Sequence, residues 1–330
     1  MSTLEDTGVV RATRRSPRQL LTLLLPWAVL IILYIVLITR APNYGKPAQM
    51  SILLASITIL GVVAMGQLCV ILIGGIDLSV STVMTLTNVV SASIAMGSDQ
   101  NLFKAVAISL AIGLVVGVAN GLIITKLGMP DMIATLAMMT IVMGALYLYN
   151  ASHLKGGSPP ALTAFIKQRF MTYLVPATVV WIALAVVLIV VLRKTVFGRQ
   201  VYAVGLSRGA SHAAGISVVR TTVILYAISG VCAAAAGVLL TANTGASQLN
   251  SGSAYQLWSI AAVVLGGTNI FGGSGGYGNT IAGVAIIMLL IALLPILGIA
   301  EAGQQILYGL VILIMLIVFR YGGKRQDDMT

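Results

Sequence analysis

The sequence predicts an all-α polytopic membrane protein with about ten transmembrane helices, both termini in the cytoplasm, and some helices broken at glycine clusters. Hydrophobic residues make up 58% of the chain and charged residues only 8%. No charge lies between Arg220 and Glu301, and Asp77 is the only charge between Lys46 and Asp99. A spanning helix needs ~20 mostly apolar residues, and stretches near this length recur along the chain. A soluble domain cannot be built from this composition.

Charges, prolines and glycine clusters divide the chain into ten apolar segments. These segments are 20–39, 50–73, 79–96, 104–125, 132–150, 173–192, 221–240, 256–271, 279–297 and 302–319. The stretch 50–96 fits one continuous and one broken helix. The stretch 256–297 is interrupted by three glycine pairs.

Residues 1–19 are predicted to form a basic cytoplasmic tail, residues 20–319 the transmembrane domain, and residues 320–330 a cytoplasmic C-terminal tail. The first segment has a basic flank, as a signal peptide does. Its apolar core is longer than that of a signal peptide, and no clear small-x-small cleavage site follows it. We therefore expect an uncleaved first helix.

Basic residues predict the orientation, because Lys and Arg in short loops favour the cytoplasmic side. With the N-terminus inside, the cytoplasmic ones are Arg11, Arg14, Arg15, Arg18, Lys126, Arg193, Lys194, Arg199, Arg208, Arg220, Arg320, Lys324 and Arg325. Those outside are Arg40, Lys46, Lys104, Lys155, Lys167 and Arg169. The net charge of +11 is therefore mainly a topology signal, with some affinity for anionic lipid. No soluble module is present that would carry nucleic-acid binding.

Asp77 lies in the turn Gly74-Gly75-Ile76-Asp77-Leu78-Ser79, between two apolar runs. An unpaired carboxylate at membrane depth is costly, so Asp77 must face protein, water or the headgroup boundary. Asp77 or Ser79 could cap the helix that follows. A role of Asp77 in a gate or an interface is the alternative, and the sequence leaves both open.

Glycine pairs predict a second break in the apolar pattern. Adjacent glycines end helices and let backbone amides face a cavity. Both breaks follow a short apolar run, which is compatible with an internal repeat of two broken hairpins. Single glycines spaced by four instead predict close helix contact. The second break contains Gly266, Gly267, Gly272, Gly273, Gly275 and Gly276, and the spaced glycines are Gly113, Gly117 and Gly121.

The long cytoplasmic loop 193–220 is predicted to contain a short helix. Ser207 fits an N-cap, Arg208 to Ala214 the helix, and Gly215 its C-terminal stop. Such a helix between two spanning helices could couple the membrane domain to a cytoplasmic partner. An ordinary surface loop would have a similar sequence.

Residues for catalysis or metal binding are scarce. The chain has no phosphate-binding glycine loop, no dinucleotide fingerprint after a strand, and no convincing nucleophile and base pair. His153 and His212 are predicted in loops on opposite sides of the membrane, and Cys69 and Cys232 within helices. We therefore predict that the chain is not an enzyme and holds no metal, cofactor or disulfide.

Asp131 and Glu301 each stand at a predicted helix start, where the helix dipole favours a negative charge. Together with Asp77, they are the acids that an ion-coupled carrier could use. A single-chain secondary transporter therefore stays an alternative. A non-transport membrane subunit of a larger complex is another.

Four separated stretches resemble, in order, the permease of ribose-type sugar ABC importers. They are Ile73 to Val80, Ile133 to Met139, Tyr202 to Ile216, and Ile260 to Thr268. The resemblance implies an ATP-driven importer of the bacterial inner membrane. Its cargo would be a pentose, a hexose or a related polyol, delivered by a periplasmic binding protein.

The resemblance also implies partners. They are a second permease copy, in a homodimer or with a related permease, the periplasmic sugar-binding protein, and a cytoplasmic ABC ATPase that binds ATP and Mg. It assigns a signature turn, Gly74 to Ser79, and an ATPase-coupling element, Ser207 to Ile216. With the second glycine break, the candidate site residues are Gly74, Gly75, Asp77, Ser79, Gly266, Gly267, Gly272, Gly273, Ser207, Arg208, Gly209, Ala210, Gly215 and Ile216.

Several positions depart from the family pattern. Ser81, Ser207 and Gly209 stand where Gly, Asn and Ala are usual, and Gln256 and Trp258 replace acids. These departures leave the transporter interpretation intact. They leave the sugar undetermined.

Overall fold

The computed structural model describes residues 17–150, 156–170, 172–300, 302–307, 309–310 and 313. Within these ranges the helices with complete bounds are twelve α-helices and two short 3-10 turns, and residues 302–307 are also helical. The helices are α1 (Pro17–Arg40), α2 (Pro47–Leu72), α3 (Val80–Ala95), α4 (Leu102–Lys126), α5 (Asp131–Asn150), α6 (Pro160–Lys167), α7 (Pro176–Lys194), α8 (Val196–Leu206), α9 (Arg208–Ala213), α10 (Val218–Thr244), α11 (Ser253–Leu265) and α12 (Tyr277–Ile296).

Six helices of the described part are long and apolar enough to cross a membrane. They are Pro47–Leu72, Asp99–Lys126, Asp131–Tyr149, Pro176–Lys194, Val218–Thr244 and Tyr277–Ile296. Shorter apolar helices cover Leu24–Arg40, Val80–Ala95 and Ser253–Leu265. Each of the first nine predicted segments overlaps one of these helices, which confirms a helical, multi-pass chain. The tenth segment, 302–319, and the two terminal tails lie mostly outside the described residues.

The core is built around α10, which packs against α2, α3 and α4. On α4, Gly113 and Gly117 bring the two backbones together. A Cβ at either position would collide with a backbone carbonyl of α10, that of Gly230 or of Tyr226. Small residues four apart allow this approach, and the predicted close contact is confirmed.

Two helices, α3 and α11, are shorter than the ~30 Å core of a bilayer. Their 16 and 13 residues correspond to roughly 24 and 20 Å. Each lies next to one of the predicted glycine breaks. The start of α3 follows the turn that contains Asp77, and the end of α11 precedes Gly266.

Polar groups on α3 hold the segment between α10 and α11. The Asn88 Oδ1 atom accepts from Gln248 N at 2.9 Å, and Thr85 Oγ1 accepts from Gly252 N at 3.1 Å. At the start of α3, Ser81 Oγ donates to Oε1 of Gln256 at 3.0 Å. The segment 245–252 therefore runs along α3 toward the Asp77 turn, and α11 begins inside the helical domain.

Loops predicted on the same side of the membrane meet in space. At one end, Gly273 N donates to Leu72 O at 2.9 Å. At the other end, Gly97 N donates to Gly157 O at 3.0 Å, and Ser158 N donates to Gly245 O at 3.2 Å. The chain thus alternates between two ends, as the spacing of the apolar segments predicts.

Candidate functional site

The signature turn starts where α2 ends. Gly74 has φ +76°, a left-handed conformation that side chains other than glycine adopt with strain. A Cβ on Gly74 would lie 2.9 Å from Phe271 O in the second break. A Cβ on Gly75 would lie 2.7 Å from Tyr226 Oη and 2.8 Å from Asp131 Oδ2. Glycine is therefore required at both positions, because a side chain would clash with these neighbouring atoms.

Asp77 is buried and accepts three hydrogen bonds. Its Oδ1 accepts from Ser79 N at 3.0 Å and from Ser79 Oγ at 2.6 Å, and its Oδ2 accepts from Ser229 Oγ at 2.8 Å. Asn120 Nδ2 donates to Ser79 Oγ at 2.9 Å. The carboxylate thus ties the turn to α10 directly and to α4 through Ser79.

Capping of α3 differs in part from the sequence prediction. Ser79, not Asp77, occupies the N-cap position, and its side chain makes no capping bond to the helix. The hydroxyl is committed to Asp77 instead. Ser229 and Asn120 were not predicted as partners, because single polar residues inside apolar helices carry no local signal of their partner.

The position of Asp77 agrees with a carboxylate at membrane depth. Ser229 lies near the middle of α10, a helix long enough to span the bilayer. Hydrogen bonds to both carboxylate oxygens compensate for the lost hydration.

The second break joins α11 to α12. Gly267, Gly272 and Gly273 have φ values of +81°, +92° and +75°. Gly266 has no positive φ but packs on the backbone of Thr280, which a Cβ would approach to 2.6 Å. The four candidate glycines of this break therefore serve turn formation and close packing.

The two breaks and the predicted cytoplasmic loop meet at one place, which we call the glycine junction: Gly74, Gly205, Gly272 and Gly273. A Cβ on Gly272 would lie 2.7 Å from Gly74 N and 3.0 Å from Gly205 O. A Cβ on Gly205 would collide with Leu72 O. These three chain segments can meet so closely only because side chains are absent there.

The predicted short helix in loop 193–220 is present as α9. Ser207 is its N-cap, with Oγ accepting from Ala210 N at 3.2 Å, and Gly215 follows its end with φ +79°. Ile216 N donates to Ser211 O at 3.0 Å, and Gly209 has open space around it. The helix ends at Ala213, one residue before the predicted end.

A second helix in this loop, α8, was not predicted. Thr195 caps it by accepting from Gly198 N at 3.1 Å, and its Val201 and Val204 side chains are buried. Further along the helix, Tyr202 Oη donates to Gly275 O at 3.0 Å. Burial raises the pKa of the Tyr202 phenol, and the nearby Arg193 acts in the opposite direction. We call α8 and α9 together the helical pair.

An ion pair joins the helical pair to α5. Arg208 Nη2 lies 3.0 Å from Asp131 Oδ2, with 45% of the Arg208 side chain and 12% of the Asp131 side chain exposed. Asp131 begins α5, as predicted from the sequence. Both residues line a cavity of ≈ 500 Å³ next to Gly74 and Gly205. The sequence did not predict that Arg208 would pair with Asp131.

Other candidate groups do not form a site. Across the ranges that the structure describes, no three His, Cys, Asp or Glu side chains are grouped as metal ligands. His212 lies in α9, and Cys69 and Cys232 are free thiols. His153 and Glu301, considered in the sequence, lie outside the described residues.

These features define a multi-pass helical membrane protein with two broken helical segments that meet a helical pair at one end. A family model described as a branched-chain amino acid transport system / permease component matches residues 49–319. The chain belongs to this family. It is therefore a permease component of a membrane transport system.

Curated relatives resemble almost the whole chain. The ribose import permease protein RbsC of Bacillus subtilis (strain 168) is 39% identical over 298 residues, 89% of this chain and 92% of the relative. The L-arabinose transport system permease protein AraH of Escherichia coli (strain K12) is 32% identical over 300 residues, 90% of each chain. The fructose import permease protein FrcC of Rhizobium meliloti is 32% identical over 279 residues, 82% of this chain and 77% of the relative. No solved structure matches the chain significantly.

Proposed function

We propose that this chain is the permease subunit of an ATP-driven ABC importer that moves a sugar into the cytoplasm. Support comes from relatives named for three different sugars, ribose, L-arabinose and fructose, that each align over most of the chain. The cargo would be a pentose, a hexose or a related polyol.

The observation that carries the proposal is the contact of the helical pair with both glycine breaks. Gly205 of α8 touches Leu72 O and Gly273 N, and Arg208 of α9 pairs with Asp131. A force applied to the helical pair would therefore reach α2, α5 and α12 together. This is the arrangement that a permease needs if ATP is hydrolysed on another subunit.

The remaining features of the assembly belong to the same proposal. The transmembrane domain, 20–319, contains about ten helices in the bacterial inner membrane, with the tails 1–19 and 320–330 and the coupling loop 193–220 in the cytoplasm. Two permease copies form the pore. A cytoplasmic ATPase, which carries ATP and Mg, binds the helical pair, and a periplasmic binding protein delivers the sugar.

Within this scheme, Asp77 fixes the turn before α3 and so positions a gate. Its three hydrogen bonds link the turn to α10 and suit this positioning role. Gly74 and Gly272 act as hinges that let α3 and α11 tilt when the helical pair moves.

A pull-down of the tagged chain from gently solubilised membranes tests the proposal. We expect an ATPase with a phosphate-binding loop to co-purify, and mass spectrometry of the co-purifying chains identifies it. The reconstituted complex, with its binding protein, should hydrolyse ATP faster when ribose, L-arabinose or fructose is added.

The control is the same complex without binding protein, in which the added sugar should not stimulate hydrolysis. Recovery of the chain alone under several mild detergents, with uptake that depends on an ion gradient, would instead support a single-chain secondary transporter.

A further inference from the structure

We propose that a cavity beside Trp258 is a binding subsite for a neutral monosaccharide on its way through the permease. This inference rests on the proposed function as a sugar importer. The cavity, of ≈ 580 Å³, is called the Trp258 cavity. It is lined by Ser253, Ala254, Leu257, Trp258, Ile291, Gln304 and Gln305.

The side chains of this cavity suit a sugar. Trp258 offers a large indole face, and its edge-to-face contact with Tyr255, at a centroid distance of 5.1 Å, holds the ring in place. Gln305 offers an amide group that both donates and accepts hydrogen bonds, and Gln304, whose Nε2 already donates to Ile299 O at 2.9 Å, offers its second amide N–H and its Oε1. The C–H face of a sugar can pack on the indole while its hydroxyls bond to the amides and to Ser253.

The described lining of the cavity suits a neutral ligand better than a zwitterion. None of the described residues that line it is charged. Among these described residues, the ammonium and the carboxylate of a bound amino acid would find no opposite charge, which is costly in a partly desolvated site. This distinction matters because the matching family model is described by branched-chain amino acid transport.

The cavity lies between helices of the membrane domain. Ile291 belongs to α12, and Ser253 and Trp258 lie on the first half of α11. The α11 start is anchored inside the domain by the hydrogen bond from Ser81 to Gln256. The residues that line the cavity therefore lie on helices and not on loops.

One short helix connects this cavity to the glycine junction. The 13 residues of α11 span roughly 20 Å, with the cavity near Ser253 and the second break after Leu265. A sugar in the cavity therefore contacts the helix whose other end leads into the second break, and that break contacts the helical pair at Gly205. Because α11 would move as one rigid helix, occupancy of the cavity and movement at the glycine junction would each affect the other.

The test uses the purified permease–ATPase complex without binding protein. Uptake into proteoliposomes, with binding protein present, first shows which of D-ribose, L-arabinose and D-fructose is carried. The carried sugar is then titrated while tryptophan fluorescence is recorded. We expect a saturable change in the unaltered complex and in Trp27→Phe, the control, and its loss in Trp258→Phe.

A second variant keeps the test independent of the aromatic ring. Gln305 is exposed, so Gln305→Ala should leave the fold intact. Loss of one or two hydrogen bonds should weaken the apparent Kd for the sugar roughly five- to tenfold. Gln168→Ala, another exposed glutamine outside the cavity, should leave the Kd unchanged.

The possible failures are distinguishable. Sugar uptake without any fluorescence change in the unaltered complex, or an unchanged Kd in Gln305→Ala, would overturn the Trp258 subsite and leave the proposed function standing. Uptake of leucine in place of all three sugars would overturn both.

Discussion

Asp77 and Asp131 show two ways in which this chain stabilises an acid. Asp77 is bound by hydroxyl and backbone N–H donors in the interior, whereas Asp131 pairs with a half-exposed arginine. The first arrangement fixes a turn, because all three donors must be in place together. The second can open when the half-exposed arginine moves into water, and the less exposed Asp131 then loses its charged partner.

Replacement of the buried acid should destabilise the protein. Asp77→Ala leaves the Ser79 and Ser229 donors unpaired, at about 1–3 kcal/mol for each donor that finds no new partner. We expect a clearly lower Tm in detergent for Asp77→Ala and a smaller decrease for Ser229→Ala, which removes one donor. Asp77→Asn should assemble but show several-fold weaker sugar-driven ATPase activity; full activity would rule out a requirement for the charge.

Charge reversal should affect coupling more than stability. We expect Arg208→Glu to lower sugar-driven ATPase activity several-fold while the Tm changes little, because Arg208 is 45% exposed. The double variant Arg208→Glu with Asp131→Arg should recover part of the activity. Recovery should be incomplete, since an arginine at the start of α5 opposes the helix dipole.

Arg220→Glu is the matched control for the same change of charge. Arg220 is exposed at the start of α10 and belongs to the same loop. If Arg220→Glu lowered activity as much as Arg208→Glu, net charge of the loop and not the ion pair would explain the effect.

At the scale of elements, the helical pair contains one glycine that is constrained and one that is not. Gly205 sits against the backbones of Leu72 and Gly273, whereas nothing lies within 4 Å of a Cβ built on Gly209. The two residues belong to consecutive helices of the same loop. They therefore separate the effect of tight packing from the effect of glycine as such.

Gly205→Ala should separate α8 from the junction. We expect it to lower both the Tm and the sugar-driven ATPase activity, because neither contact is a flexible side chain that can move away. Gly209→Ala should be neutral or stabilising by about 0.5–1 kcal/mol, since alanine is favoured over glycine inside a helix. Equal effects of the two substitutions would contradict the glycine junction.

At the scale of the whole molecule, the loops separate into two groups at opposite ends. The glycine junction, the helical pair and the start of α5 form one end. Gly97, Gly157 and Gly245 meet at the other. This separation holds irrespective of which end faces the cytoplasm, and the basic residues supply the orientation.

Cysteine labelling in intact cells tests that orientation. Phe170→Cys, at an exposed position, should react with a membrane-impermeant maleimide added outside. Gly209→Cys should react only after the cells are opened. The unaltered chain is the control, because Cys69 and Cys232 lie within helices α2 and α10. The reverse pattern would invert the proposed topology.

Local features of the site were predictable from the sequence. The short helix α9, its cap Ser207 and its stop Gly215 depend on neighbouring residues, and so does the helix start at Asp131. The helix α8 was missed, because its buried valines are recognisable only when the surface that covers them is known.

The sequence by itself determined the class of protein, the positions of the spanning segments and the two glycine breaks, because length, apolar composition and backbone freedom act over a few neighbouring residues. Only the tertiary structure decided which residues meet. Asp77 binds Ser229 from 152 positions away, and Gly205 touches Leu72. Such contacts depend on how whole helices pack, and no local pattern encodes the partner.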